Sequence, residues 1–120
     1  MLFRSFSFGE LTKEKLDILR QADFIFRDEM KKAKLDRKAQ QFFAINSNVK
    51  AVGVKNSART YGYVIAIRAI STQQFVKAGV VELPFKFVTK VAEKIATKVK
   101  GVNRVVWDVT PKPPATIEWE

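Results

Sequence analysis

Residues 112–120, KPPATIEWE, hold the densest set of groups able to meet a ligand: Lys112, Thr116 and Glu118 stand among Pro113, Pro114, Ile117 and Trp119. Proline fixes φ and removes a backbone donor, so this stretch cannot be a plain helix, and a rigid path can pre-position polar side chains around a bound molecule. Arg59 stands between two strand-like runs, where its planar fork can be offered to a phosphate. Taken singly, each of these cations is also what a solvated surface ordinarily carries. Asp28 with Glu29, and Glu118 with Glu120, are carboxylate pairs of the type that acid–base work needs. The first pair falls on the polar face of a helical repeat and reads as structural.

Several chemistries are excluded outright. Cysteine and histidine are both absent, which removes a disulfide framework, a thiolate nucleophile, an imidazole base and an ordinary zinc site. The 5 glycines are scattered and no GKS or GKT occurs, so no phosphate-cradling glycine loop precedes a helix. The net charge of +10 attracts phosphate-bearing partners, with nucleic acid, nucleotides and acidic membrane surfaces all compatible. Lysine supplies most of that excess and is equally the common means of staying soluble.

A chain of 120 residues that is 47% hydrophobic, with 10 Phe, is long enough for one core and reads as a single domain. No run approaches the roughly 20 apolar residues of a membrane span, and residues 1–10 lack the pattern of a secretory signal; the expectation is a cytoplasmic protein.

The elements that must position the tail follow from periodicity. Residues 11–34 predict a helix capped by Thr12, with Leu16, Leu19, Ala22, Ile25, Phe26 and Met30 on its apolar face and Lys13, Glu14, Asp17, Arg20, Glu29 and Lys31 turned to water. Residues 36–43 predict a second short helix, and Asn46, Ser47 and Asn48 a turn. Residues 49–54 and 61–70 predict adjacent antiparallel strands, the second with Tyr61, Tyr63, Ile65 and Ile67 on one face and Val64 and Ala66 on the other, both faces partly covered. Pro84 opens a helix with Phe85, Val88, Val91, Ala92, Ile95 and Val99 as its stripe, ended by Gly101. Its Lys86, Lys90, Lys94 and Lys98 form a basic row that reads as facing water. Residues 102–109 predict a third core strand, and residues 115–120 a short final one. The order helix, two strands, helix, two strands implies an α+β domain with a small, mostly antiparallel sheet covered by helices.

Five segments occur in one order: GELTKEKLDILRQAD at 9–23, Val52-Gly53-Val54 followed by Arg59-Thr60-Tyr61, Leu83-Pro84, GVNRVVWDVT at 101–110 and KPPATIEWE at 112–120. Together they resemble the C-terminal dimerisation domain of GMP synthase, the enzyme family that converts xanthosine monophosphate (XMP) to GMP in purine biosynthesis with ATP and glutamine-derived ammonia. The resemblance covers residues 9–120 and leaves 1–8 as a divergent lead. It implies a homodimer that completes an XMP site around the phosphate, with adenylylation on a neighbouring ATP pyrophosphatase domain. Carried over by motif, it implies that Lys112 and Arg59 contact the phosphate, that Gln41, Ile117 and Glu118 contact or frame the nucleotide, and that Glu118 accepts hydrogen bonds or fixes a cation.

Departures from the family pattern fall on loops. Lys55, Asn56 and Ser57 precede Ala58 where Met-Gly-Asp is usual before Arg-Thr-Tyr. Phe42-Phe43 replaces Ala-Phe, Asn48-Val49-Lys50 replaces Pro-Val-Arg, and Phe75-Val76-Lys77-Ala78 replaces Phe-Met-Thr-Ala. The family's Ser-Gly-Gly-Val-Asp-Ser ATP loop, its HPFPGPG segment and its amidotransferase cysteine do not occur. The expectation is therefore a module inactive alone and without a cofactor of its own, ATP and Mg belonging to an ATP pyrophosphatase partner and ammonia to a glutamine amidotransferase. The alternatives are a basic nucleic-acid-binding or remnant interaction module reusing the fold, which predicts salt-dependent binding to DNA or RNA, and the last domain of a complete GMP synthase.

Overall fold

The computed structural model describes residues 12–74, 77–112, 114–116 and 119. Ile117 and Glu118, two of the expected ligand residues, lie outside the described residues.

Helix α1 (Lys13–Lys32) starts where Thr12 takes an extended conformation and its Oγ1 accepts from the Lys15 N–H at 3.2 Å. Glu14 in the first turn and Lys31 and Lys32 in the last complement the helix dipole. The helix ends in a Schellman turn: Lys34 adopts φ 59°, its N–H donates to the Lys31 carbonyl, and the Leu35 N–H donates to the Met30 carbonyl at 2.9 Å. Leu35 is buried beside that turn. The reversal replaces the expected second helix at 36–43 with turns, and strand β1 begins at Gln41. A left-handed lysine costs about 1 kcal/mol that glycine does not incur. Lys34→Gly is expected to raise stability by about 0.5–1 kcal/mol in urea unfolding, and an unchanged midpoint would show that the left-handed turn is unstrained.

Strands β1 (Gln41–Lys55) and β2 (Ala58–Gln74) form one long antiparallel hairpin. Asn56 and Ser57, at φ 50° and 63°, make the two-residue turn whose backbone twist suits the flanking strands. The expected turn at 46–48 is instead a bulge within β1, where the register shifts between Asn46 and Lys50 and Asn48 takes φ 62°. Polar side chains close it: Ser47 Oγ donates to the Val64 carbonyl at 2.7 Å and accepts from Val49 N–H, while Asn46 Oδ1 accepts from Asn48 N–H at 2.9 Å.

A short strand β3 (Lys77–Val80) pairs antiparallel with the end of β2, and Pro84 then caps helix α2 (Phe85–Lys98). Val88, Val91 and Ile95 are buried, whereas Phe85, expected in that stripe, is 75% exposed. Gly101, at φ 96°, turns the chain into strand β4 (Val102–Trp107). A Cβ at Gly62 would lie 2.8 Å from the Gly101 carbonyl oxygen, so glycine lets that turn reach the sheet. Strand β4 runs parallel to β2, whereas β1 and β3 pair with β2 antiparallel in this four-stranded sheet. The α+β class is as the sequence implies, with helix, strands, helix, strand in order; the short β3 between β2 and α2 was not expected.

Both helices pack on one sheet face. Leu19, Ala22, Phe26 and Met30 of α1 and Val91 and Ile95 of α2 meet Ala44, Ile65, Ile67 and Ala69, all buried in one cluster. Phe26 and Phe42 meet edge to face with centroids 6.0 Å apart. The opposite face carries the tail.

Candidate ligand site on the tail face

Paired residues in a ladder share a face, and successive residues alternate. The register Gln41↔Ile70, Phe43↔Arg68 and Ile45↔Ala66 places these six on the side away from the helices. Val64↔Arg104 and Ala66↔Val106 add β4 to the same surface.

The tail is drawn onto this surface by a buried arginine. Arg68 is fully buried; its Nη2 donates to the Thr116 carbonyl at 2.8 Å, and its Nη1 lies 3.3 Å from Asp108 Oδ2. The same Oδ2 accepts from Trp119 Nε1 at 2.7 Å, while Oδ1 accepts from Thr110 N–H at 3.1 Å. The Trp119 ring packs against Phe43, Ile45 and Ala66. Between these anchors the Ala115 N–H donates to the Pro111 carbonyl at 3.1 Å and closes a turn around half-buried Lys112. Lys112 makes a single bridge, and Ala115 and Thr116 are not in a strand, so no extended final strand forms among the described residues.

Gln41, at the start of β1, thus shares its face with the Arg68–Thr116 contact one ladder step away. Arg59 does not. It is exposed opposite Val54, at the turn end of the hairpin, and a straight strand of that length separates it from Gln41 by on the order of 40 Å. The structure therefore puts Gln41 on the face that holds the tail at Thr116 and leaves Arg59 at the far end of the hairpin.

Arg104 is exposed on the tail face, its Nη2 donating to the Val52 carbonyl at 3.2 Å. It was not among the expected ligand residues, although the alternation through 102–109 sets it beside Val106 and Asp108. Arg68 was missed as well. Its signal was a guanidinium inside an otherwise apolar strand run, which must find partners once buried.

A second charged cluster has a structural role. Glu29, expected in water, is buried between the helices; Lys94 Nζ donates to its Oε2 at 2.8 Å and Lys90 Nζ lies 3.4 Å from its Oε1. Two lysines of the basic row thus face a carboxylate. The Lys94 hydrogen bond, reinforced by the charges of Lys94 and Lys90, outweighs burial and holds the Glu29 carboxyl below its ordinary value of 4.5. A lowered folded-state value means stability that is present above about pH 4.5 and is lost as pH falls through the folded value. Glu29→Gln is expected to lower stability by about 1–2 kcal/mol at pH 7 and to flatten the acid limb of a thermal-melt series below pH 5. An unchanged acid limb would remove Glu29 from that role. Among the described residues no group of three or more His, Cys, Asp or Glu side chains could hold a metal.

Residues 28–119 match the family described as GMP synthase C terminal domain. The chain is 51% identical over 112 residues to a glutamine-hydrolyzing GMP synthase of Acetivibrio thermocellus, covering 93% of this chain and 22% of that protein. It is 53% identical over 112 residues to the one of Carboxydothermus hydrogenoformans, with the same coverage, and 49% identical to the one of Treponema denticola, of which it covers 21%. The chain thus spans about a fifth of the length of these relatives.

Proposed function

The chain belongs to the family of GMP synthase C-terminal domains, and we propose that it forms a homodimer and completes an XMP phosphate site for ATP-dependent amination to GMP in the cytoplasm. Adenylylation and ammonia supply fall to ATP pyrophosphatase and amidotransferase parts. The observation that carries this reading is the tail face: Arg68 holds the tail at Thr116 on the surface that also bears Gln41 and Arg104. A phosphate monoester carries between one and two negative charges near neutral pH, and convergent cations suit it. Lys112 is the first of these, and we add Arg104, whose guanidinium is held at the Val52 carbonyl toward the hairpin turn and therefore serves, like that of Arg59, from a second copy. Ile117 and Glu118 frame the base or sugar, as the family motif implies.

Isothermal titration with XMP, alone and with an ATP pyrophosphatase partner, is expected to show saturable binding. Absence of binding in both settings would overturn the ligand reading. Arg59 can serve this site only from a second copy. In that arrangement Arg59→Ala and Lys112→Ala chains each bind weakly, while a mixture refolded together regains one intact site per mixed dimer. A mixture no better than its components would remove Arg59 from the site. No helix among the described residues is long and apolar enough to cross a membrane.

A further inference from the structure

We infer that Arg68 is a positioning residue: with Asp108 it forms a clasp that sets the placement of the ligand-facing tail by gripping the chain at Thr116 and at Trp119. This deepens the reading above and rests on it.

Ladder pairing does little to place the described tail residues. Pro111, Pro113 and Pro114 carry no backbone donor, and among the described tail residues Lys112 alone makes a bridge. Side chains must therefore do what a ladder does elsewhere. The surrounding surface of Phe43, Ile45 and Ala66 is apolar and could hold the Trp119 ring, but such contact is non-directional. A guanidinium is directional, because its donors lie in one plane at fixed angles. Arg68 points one arm at the Thr116 carbonyl and another at Asp108, and the Asp108 oxygen that faces Arg68 also accepts the Trp119 indole N–H. The carboxylate thus links Arg68, at the sheet centre, to Trp119, while Arg68 itself holds Thr116. Replacing a buried ion pair by apolar residues often leaves stability intact, so the use of Arg68 here is explained by placement.

The test uses the full chain with its ATP pyrophosphatase partner and three variants. Arg68→Lys keeps the charge near Asp108 and lacks the second arm to Thr116; Trp119→Phe keeps the ring and lacks the N–H; Ile95→Val is a mildly destabilising control in the helix core. The first readout is hydrogen exchange of the Trp119 indole N–H, told apart from that of Trp107 by its absence in Trp119→Phe. Exchange is expected to be slow in the parent chain and at least tenfold faster in Arg68→Lys, with cooperative unfolding retained. The second readout is XMP affinity, expected to fall about tenfold in Arg68→Lys and severalfold in Trp119→Phe, and to stay unchanged in Ile95→Val. Equal exchange in parent and Arg68→Lys overturns the clasp. Faster exchange with unchanged XMP affinity overturns its positioning role. If Arg68→Lys fails to fold, unchanged affinity in Trp119→Phe overturns that role by itself. A parent chain that binds no XMP overturns the ligand reading and the positioning role with it, while the exchange result still decides whether the clasp exists.

Discussion

Arg68→Leu is expected to cost about 3–5 kcal/mol and to lower the thermal midpoint by on the order of 10–15 °C. Leucine keeps an apolar side chain opposite Phe43, so the loss is chiefly electrostatic. Asp108, only 15% exposed at its side chain, is left without its cation, and the Thr116 carbonyl loses a charged donor at 2.8 Å. Those two deficits distinguish this substitution from an ordinary core exchange, and they predict its rescue. Asp108→Asn removes the stranded charge while keeping an oxygen for the Trp119 N–H. The double variant Arg68→Leu with Asp108→Asn is therefore expected to be at least 1 kcal/mol more stable than the sum of the single losses implies. Differential scanning calorimetry of the four proteins checks this. Strict additivity, or a single variant within about 0.5 kcal/mol of the parent, would mean that Arg68 and Asp108 are not coupled.

What was legible in the sequence was the part governed by local rules. Thr12 announced the start of α1, and the spacing of Leu19, Ala22, Phe26 and Met30 described the face that the structure buries. Val88, Val91 and Ile95 did the same for α2. The failures occur where a partner distant in the chain decides. Asn46, Ser47 and Asn48 favour turns because their side chains bond nearby backbone, and they do so here at Val49 and Asn48, but the Ser47 bond to Val64 across the hairpin keeps the segment in a strand. Lys34 ends α1 in a left-handed conformation for which no glycine signals. Asn56 and Ser57 make a two-residue turn that leaves both strands longer than the apolar runs suggested. Glu29 sits at a polar position of the α1 repeat and is buried only because α2 brings Lys90 and Lys94 over it. The parallel pairing of β4 has no local signature, since alternation is the same in either direction. Of the candidate site, Lys112 and the tail were proposed from their motif, whereas the contacts that fix the tail required the register of Arg68 opposite Phe43.

Removing Lys112 and Arg104 together is expected to weaken XMP binding by about 10²–10³-fold. A charge-assisted hydrogen bond contributes about 1.5–3 kcal/mol; two give roughly 3–4 kcal/mol once part of that strength is lost to solvent, and each tenfold is about 1.4 kcal/mol. Lys112 is half-buried and Arg104 exposed, so neither Lys112→Ala nor Arg104→Ala strands a fully buried charge. Fold stability should therefore stay within about 0.5 kcal/mol of the parent, which separates this substitution from Arg68→Leu. The phosphate itself supplies a second check. Its second ionisation near pH 6 adds negative charge, so affinity in the parent should rise from pH 5 to pH 7 and fall with added salt, and both slopes should flatten in the double variant. Titration calorimetry across that range gives both. A double variant that binds within twofold of the parent, with the same pH slope, would move the phosphate off this face altogether. A loss confined to Lys112→Ala would leave Arg104 to its contact with the Val52 carbonyl, a tie between β4 and the hairpin rather than a grip on the ligand.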